Sequence, residues 1–545
     1  MDVKFQRLLF LSAVLFVGLV SFSSYYFILD YFFTGSDTLT LIDTSRVHQL
    51  HDVIGIFTEP LMADSKFVEV GKFFRPVATL SYTLDFTIWD LNPFGFQLTN
   101  LLLNTVVSCL LAIVMYQLSN GNLLFAWLSG LMFALHPILV ESVPAIDRRH
   151  DILAAVFLLS AFSLFLKNKR QEFKSSLLSG LSIFLYALSL GSKETAVILP
   201  VVLVGYLLLA SNSPNRLDRL LQSMKATGLY WLTTLAFVAW RTYVLKGLGG
   251  YTKQDDLQLN DFVAYVVNII YNYVIDLVYP ADPLGVLSGS LANWWIVVAL
   301  VFLGVYLFAF FRTNLFGEDA DYKRESKNLL LFLGFWSMLP LALFLGTLTF
   351  AHRSMYNSAI PFSALLAYPL SETLKVFFSN KVSGFKEVFS RRFWPVFSRW
   401  LVAILGISMF CYLLICSPLI SEYDQWGASA RIGRIVLINL AAGASDLPSD
   451  CKVNLYNLPD GLKSYEKREV KAKEVTYLTE YSIESWLRLC GLKRKPDVVI
   501  HSRSRPWDLS DGFSVAMMQL GRKNLFAIIK TNRSETRSKI LSLFP

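Results

Sequence analysis

A dense group of ionisable side chains stands between two apolar runs of membrane length. The group consists of His136, Glu141, Asp147, Arg148, Arg149, His150 and Asp151. Ionisable groups are costly at a hydrocarbon boundary, so they usually mark a functional site. Glu141 could accept a proton, and the guanidinium groups of Arg148 and Arg149 could bind a phosphate through paired hydrogen bonds. The alternative interpretation is an internal network of ion pairs that only holds the loop, with His136 as a hydrogen-bonded residue at a helix end.

Further charged residues stand at the ends of other apolar runs. They are Arg75, Lys193, Glu194, His352 and Arg353. Long basic side chains at a helix end usually extend toward the lipid headgroups. Basic residues on the outer side of a membrane nevertheless oppose the usual charge bias. Each of these cations is therefore also a candidate partner for a phosphate.

The composition places these residues in a polytopic membrane protein. Of the 545 residues, 54% are hydrophobic and 17% are charged, which does not suit a soluble globule with an ordinary surface. A helix needs about 20 apolar residues to cross a hydrocarbon core. Eleven such runs recur, at 8–29, 98–118, 122–140, 152–167, 175–191, 194–211, 226–245, 292–311, 328–350, 358–378 and 399–418. The first run is too long for a signal peptide and lacks a cleavage site, which predicts an uncleaved anchor.

The basic residues predict the topology. A further apolar run at 261–279 carries several polar side chains, and all basic clusters share the cytoplasmic side only if this run does not cross. The N-terminus is then inside, and the loops 30–97 and 246–291 are outside with everything after residue 417. A twelfth span is the alternative. The net charge of +9 is mainly a topology signal, so no nucleic acid partner is expected.

The chain divides into a membrane domain at 1–420 and an extracytoplasmic α/β domain at 421–545. In the second part, charges are mixed, and strand-like runs alternate with a helix-like stretch near 481–490. The strand-like runs are 453–456, 498–501 and 525–529. Cys451 and Cys490 would lie in an oxidising compartment and could form a disulfide, although two cysteines also occur by chance.

Four motifs in order resemble the GT-C glycosyltransferases related to the tetratricopeptide-bearing transmembrane O-mannosyltransferases. The motifs are FRPVATLSYTLDFTIWDLNPFGFQLTNLLLN from Phe74, FALHPILVESVPAIDRRHDILAA from Phe133, SKETAVILPVVLV from Ser192 and AHRSMYNSAIPF from Ala351. Each stands at the outer end of an apolar run, and the resemblance covers about residues 30–380. The α/β domain takes the place of the tetratricopeptide repeats. This favours a prokaryotic relative in the plasma membrane, with an endoplasmic reticulum location if the source is eukaryotic.

The resemblance implies an inverting transfer of a sugar from a polyprenyl-phosphate donor to an acceptor hydroxyl at the outer membrane face. Such a reaction needs a carboxylate to take the proton, cations to hold the phosphate and an apolar flank for the lipid. The family keeps its catalytic acid in the first outer loop, which indicates Asp37, with Asp43 in reserve. Relatives often show adjacent carboxylates there, whereas Thr38 follows Asp37 in this chain. The alternative role for Asp37 is a helix cap.

The remaining expectations concern ligands and competing functions. Asp37, Glu141 and Asp151 could supply oxygen ligands to Mg²⁺ or Mn²⁺, and Tyr356 could stack on the sugar. The acceptor could be a protein, a glycolipid or a polysaccharide. A transporter or flippase would typically show duplicated halves and carboxylates at mid-bilayer depth, and neither is evident in the sequence. A non-catalytic scaffold would not need so many charged residues near the outer boundary.

Overall fold

The computed structural model describes most of the chain. The described ranges are 3–210, 215–251, 259–278, 301–311, 320–347, 352–378, 393–420, 424–444, 452–456, 458–459, 478–491, 497–500, 503–504 and 517–520. These ranges are mainly helical. The apolar composition and the long apolar helices identify an integral, helical membrane protein.

The described residues from Val3 to Leu245 form eleven α-helices. They are α1 (Val3–Tyr25), α2 (Thr38–Thr44), α3 (Leu50–Thr58), α4 (Phe67–Val70), α5 (Pro76–Trp89), α6 (Pro93–Leu118), α7 (Leu123–Ala134), α8 (Arg149–Arg170), α9 (Ser176–Ser192), α10 (Leu199–Ala210) and α11 (Arg216–Leu245). Short 3₁₀ helices at Tyr26–Asp30, Pro137–Glu141, Ile146–Arg148 and Glu194–Ile198 connect several of them.

The described residues of the second half contain seven more helices. They are α12 (Leu259–Val278), α13 (Val301–Phe311), α14 (Ala320–Thr347), α15 (Tyr356–Phe378), α16 (Phe393–Cys416), α17 (Asp424–Ala444) and α18 (Glu480–Leu489). A 3₁₀ helix at His352–Met355 precedes α15. Helix α15 packs against α7, α14 and α16, which places it inside the bundle.

Five helices are long and apolar enough to cross a membrane within the part of the chain that the structure describes. They are Lys4–Asp30, Pro93–Leu118, Ile146–Arg170, Asp321–Thr347 and Phe397–Cys416. Helices also occupy the described residues of the other predicted spans, but several are shorter. Three features of the topology stay predictions. They are the count of eleven spans, the run at 261–279 that does not cross and contains most of α12, and the side on which each loop lies.

Helix α7 differs from the predicted span at 122–140. It ends at Ala134 after 12 residues. The side chain of His136 then accepts the backbone N–H of Ile138, and Pro137 opens a 3₁₀ helix. Proline cannot donate to the preceding helical turn, so the α-helix stops there. The bundle nevertheless packs closely at α7, because a Cβ at Gly130 would lie 2.8 Å from a methyl carbon of Val17 on α1.

The C-terminal part contains the predicted mixture of helix and strands. Strand β3 (Lys452–Tyr456) lies between β5 (Asp497–Ile500), to which it is parallel, and β7 (Met517–Leu520), to which it is antiparallel. A second small pair joins β4 (Leu458–Pro459) to β6 (Arg503–Ser504). The predicted strand at 525–529 and Cys451 lie outside the described residues, so the disulfide to the exposed Cys490 stays a prediction.

The loop after α1 and the C-terminal part share one hydrophobic cluster. Side chains of α2 and α5 pack in it with Trp486 and Ile483 of α18, and with Val498 of β5. In the loop after α1, β1 (Gly71–Lys72) pairs with β2 (Gly250–Tyr251), the segment that follows α11. The domain boundary at residue 421 stays a prediction, and described residues on its two sides pack against each other.

Candidate functional site

Asp37 lies at the start of α2, at the end of the extended segment that follows the first span. It occupies the position before the first helical residue, but its side chain makes no capping hydrogen bond. Its Oδ1 instead accepts hydrogen bonds from the hydroxyl groups of Ser36, at 3.1 Å, and Tyr481, at 2.9 Å. The carboxylate therefore does not perform the simple capping role that the sequence left open.

Asp147 holds the backbone of Asp37. The N–H of Asp37 donates to Oδ2 of Asp147 at 3.2 Å. The Asp147 carboxylate packs against Gly35, whose φ of +96° favours glycine. A Cβ at Gly35 would lie 2.2 Å from Oδ1 of Asp147. The loop after α1 and the loop at 141–151 are thus in direct contact at Gly35 and Asp37.

Two cations lie near the Asp147 carboxylate. Nε of Arg148 lies 3.5 Å from Oδ1 of Asp147, and Arg353 also interacts electrostatically with Asp147. The backbone carbonyl of Arg353 accepts the hydroxyl of Ser142 at 3.2 Å. Glu141 ends the 3₁₀ helix that packs against His352–Met355. The structure therefore groups Asp37, Arg148 and Arg353 around Asp147, and places Glu141 on the segment beside them.

Amide side chains of α6 hold the loop at 141–151 in place. Gln97 donates to the hydroxyl of Thr34 at 2.9 Å and to the carbonyl of Pro144 at 3.3 Å. Asn100 donates to the carbonyl of Ala145 at 3.1 Å. The side chains of Thr34, Gln97 and Asn100 are buried, and hydrogen bonds are stronger in a buried, low-dielectric environment than in water. These bonds position the loop for Asp37.

Arg149 is placed differently from the phosphate ligand that the sequence indicated. Its side chain is 0% exposed and forms an ion pair with Asp85 at 2.6 Å. Its remaining donors reach Asn100 at 2.8 Å and the carbonyl of Phe96 at 2.9 Å, and the guanidinium lies over the ring of Tyr82. Burial raises the pKa of Asp85, and the positive charge of Arg149 opposes that shift. The structure supports the ion-pair alternative for Arg149, because its donors are used inside the protein.

A second internal network takes up several other predicted phosphate ligands. Arg75 forms two hydrogen bonds with Glu194, at 2.8 and 3.0 Å, and its NH1 lies 3.2 Å from Nε2 of His150. Asp151 pairs with Lys193 and lies 3.3 Å from His150. Arg241 also interacts electrostatically with Glu194, so three cations face two carboxylates in this network. Arg75 and Lys193 each bind an internal carboxylate, and their role as phosphate ligands stays a prediction.

Asp43, the reserve base, is also paired. Its Oδ1 accepts from Arg46 at 2.7 Å, and its Oδ2 accepts from Nε of Arg488 at 2.6 Å. It lines a polar cleft of about 360 Å³ between α2, α3 and α5, together with Arg75 and Arg488. Asp37 does not line this cleft. Both oxygens of Asp43 are therefore engaged by guanidinium groups, whereas the carboxylate of Asp37 accepts hydrogen bonds from hydroxyl groups.

His136 and Tyr356 have internal roles. Nε2 of His136 lies 3.3 Å from the carbonyl of Leu277, and Nδ1 accepts the N–H of Ile138. This matches the hydrogen-bonded end residue that the sequence allowed. Tyr356 is fully buried and donates to Oδ1 of Asn104 at 2.8 Å. The sugar-stacking prediction for Tyr356 is corrected, since its ring packs edge-on against Phe133 inside the bundle.

The three proposed metal ligands are not brought together. Asp151 lies in the network with Lys193, whereas Asp37 contacts Asp147. Within the described ranges, no three side chains of histidine, cysteine, aspartate or glutamate form a group that could hold a metal ion. Binding of Mg²⁺ or Mn²⁺ by some of these carboxylates stays a prediction.

Sequence reasoning missed two members of this site. Asp147 was noticed as part of the charged loop but was not assigned a role, although it contacts Asp37 directly. Tyr481 lies 444 residues from Asp37 along the chain and comes from the C-terminal part. No spacing rule connects residues so far apart. Only the docking of α18 onto α2 shows that they meet.

Comparisons with known proteins support the resemblance seen in the motifs. No family model matches the chain. Human protein O-mannosyl-transferase TMTC2 is 36% identical over 97 residues, which is 18% of this chain and 12% of that protein. Human protein O-mannosyl-transferase TMTC1 is 30% identical over 172 residues, 30% of this chain and 20% of that protein. In Caenorhabditis elegans, protein O-mannosyl-transferase F38B6.6 is 23% identical over 369 residues, 64% of this chain and 49% of that protein.

One solved structure also matches the chain, at low identity and a low TM-score. It is the crystal structure of ArnT from Cupriavidus metallidurans bound to undecaprenyl phosphate, at 11% identity and a TM-score of 0.43, covering 92% of this chain and 86% of that one. The chain spans half or less of the length of the O-mannosyl-transferases named above. The predicted resemblance is confirmed in sequence: the chain is similar to part of the protein O-mannosyl-transferases of the TMTC type.

Proposed function

We propose that this protein is a membrane glycosyltransferase that moves a sugar from a polyprenyl-phosphate donor to an acceptor hydroxyl, with Asp37 as the general base. The observation that carries the proposal is the position of Asp37, which meets Asp147 and Tyr481 with the cation Arg148 beside them. The similarity to protein O-mannosyl-transferases supports the reaction class.

Asp37 takes the proton of the acceptor hydroxyl while the acceptor oxygen bonds to the anomeric carbon of the sugar. The bond between that carbon and the phosphate oxygen breaks, and the polyprenyl phosphate leaves with its electron pair. Direct displacement of this kind inverts the anomeric centre. The base must lie within hydrogen-bond reach of the hydroxyl, and a positioned base contributes about 10²- to 10⁴-fold to the rate.

Arg148 and Arg353 are the cations that we assign to the donor phosphate. Both act on Asp147, and the side chain of Arg148 is 12% exposed. Arginine suits a phosphate because its planar guanidinium can form two parallel hydrogen bonds. The buried Arg149 is not part of this assignment. His352, next to Arg353, stays a candidate of the same kind.

The test compares Asp37→Asn with Asp30→Asn in purified, lipid-reconstituted protein supplied with polyprenyl-phosphate sugars. Asp37→Asn keeps the shape of the side chain and removes its basicity, so transfer should fall by about 10²- to 10⁴-fold while the protein stays folded. Asp30 is an exposed carboxylate seven residues earlier in the chain, and its asparagine variant should retain wild-type turnover.

Two results would contradict the proposal at different levels. Near-normal turnover of Asp37→Asn would transfer the base role to Glu141 or Asp43. No transfer by the wild-type protein from any polyprenyl-phosphate sugar, with protein, glycolipid and polysaccharide acceptors all offered, would reject the donor class itself.

A further inference from the structure

Helix α18 of the C-terminal part is docked onto the loop that carries Asp37. Arg488 pairs with Asp43 of α2, and Glu484 pairs with Lys66 at 2.6 Å. The ring of Trp486 packs edge-on against Phe33, with 6.2 Å between the ring centroids. Ion pairs and buried aromatic packing together fix the helix on the outer loop.

We propose that Tyr481 of α18 is a positioning residue for Asp37, so that the C-terminal domain completes the active site of the membrane domain. The inference rests on the proposed function of Asp37. The Tyr481 hydroxyl donates to Oδ1 of Asp37 at 2.9 Å. The ring is held edge-on to Phe67 at 5.7 Å, and the backbone carbonyl of Tyr481 accepts the hydroxyl of Thr40.

The two carboxylate oxygens of Asp37 have different hydrogen-bond partners. Oδ1 accepts from Tyr481 and Ser36. Within the described part of the chain, no hydrogen bond reaches Oδ2. A carboxylate with one oxygen fixed by two donors has one orientation, and the second oxygen is left to take a proton. Such preorganisation is what a general base requires, because a small displacement of the reacting group slows the reaction.

Charged and polar groups from two other segments face Asp37. Asp147, from the loop at 141–151, accepts the backbone N–H of Asp37, and Arg148 lies beside Asp147. Tyr481, from α18, donates its hydroxyl to the Asp37 carboxylate. Burial, and then the negative charge of Asp37, raises the pKa of the Tyr481 hydroxyl. Tyr481 therefore stays protonated and remains a donor at neutral pH.

The test variant is Tyr481→Phe, which removes one hydroxyl and retains the ring that packs against Phe67. We expect kcat to fall by about 10-fold with an unchanged KM for the donor, since an interaction to a charged group is lost at the reacting residue. The acid limb of the pH profile of kcat/KM should move upward by about one pH unit, because a donor to the charged form has been removed.

The matched control is Lys66→Met. It removes the ion pair with Glu484 and so disturbs the docking of α18 without touching Asp37. The acid limb of this variant should coincide with that of the wild type. An infrared difference titration, comparing each protein with its own Asp37→Asn partner, measures the Asp37 carboxylate without any turnover. The carboxylate midpoint should also rise by about one pH unit in Tyr481→Phe.

The outcomes separate this inference from the proposed function. If Asp37→Asn is inactive while Tyr481→Phe keeps the wild-type kcat and acid limb, the inference is overturned and the base assignment stands. An equal shift of the acid limb in Lys66→Met would also overturn it, because general loosening of the domain would then explain the effect. If the wild-type protein transfers no sugar, the infrared titration alone decides whether Tyr481 acts on Asp37.

Discussion

Replacing Arg149 should destabilise the protein rather than weaken the binding of a donor. Its side chain and that of Asp85 are 0% and 7% exposed, and they form an ion pair at 2.6 Å. Removing one member of a buried pair costs about 3–5 kcal/mol, because the other charge stays buried without compensation. The carbonyl of Phe96 and the side chain of Asn100 would also lose a donor. A loss of this size is a large share of the stability of a typical protein, about 5–15 kcal/mol.

The assay is thermal denaturation of purified variants in detergent, combined with the donor KM. Arg149→Met and Asp85→Asn should each lower the denaturation midpoint. The double variant Arg149→Met/Asp85→Leu should recover part of the lost stability, because it removes both buried charges. The stability effects of substitutions at residues in contact are not additive. If Arg149→Met denatured like the wild type but bound donor poorly, Arg149 would be a phosphate ligand and the ion-pair interpretation would be wrong.

Two further predictions concern the loop after α1. Gly35→Ala should lower sugar transfer by about 10-fold or more and reduce thermal stability, because the new Cβ meets the Asp147 carboxylate and the φ of +96° strains an alanine. The control, Gly180→Ala, lies in a helix with open space around the new Cβ and should be neutral or stabilising. Wild-type transfer by Gly35→Ala would contradict the close approach of Gly35 and Asp147. Backbone N–H groups of His48 and Gln49 lower the pKa of Asp52, so its cap on α3 is intact above about pH 4 and is lost as the pH falls further. Hydrogen exchange of residues 50–58, corrected for intrinsic rate, should show this loss of protection at pH 3 but not at pH 5, and an Asp52→Asn variant with the same pH dependence as the wild type would refute it.

Local patterns in the sequence were sufficient to locate the long apolar helices. Hydropathy located helices such as α6 and α8, because a helix satisfies its own backbone hydrogen bonds and needs only apolar side chains toward lipid. The strands near 453 and 498 and the helix near 481 also followed from periodicity. The end of α7 at Ala134 was missed, since the apolar run continues through Pro137 while the backbone does not.

The contacts within the candidate site could not be predicted from local sequence patterns. Asp37 could be selected from its position after the first span, and the charged loop from its density of ionisable residues. Whether a cation is available for a phosphate depends on its counter-charge, and those partners are distant in sequence: Asp85 for Arg149, and Glu194 for Arg75. The partner of Asp37 itself is Tyr481, which reaches it only because α18 packs on α2. The sequence by itself determined the membrane class, the long apolar helices and which loops carry the candidate residues, because these features depend on residues that are close in sequence. The tertiary structure alone decided which charges are neutralised and which oxygen of Asp37 receives no hydrogen bond from the described residues, because these properties depend on contacts between segments that are distant in sequence.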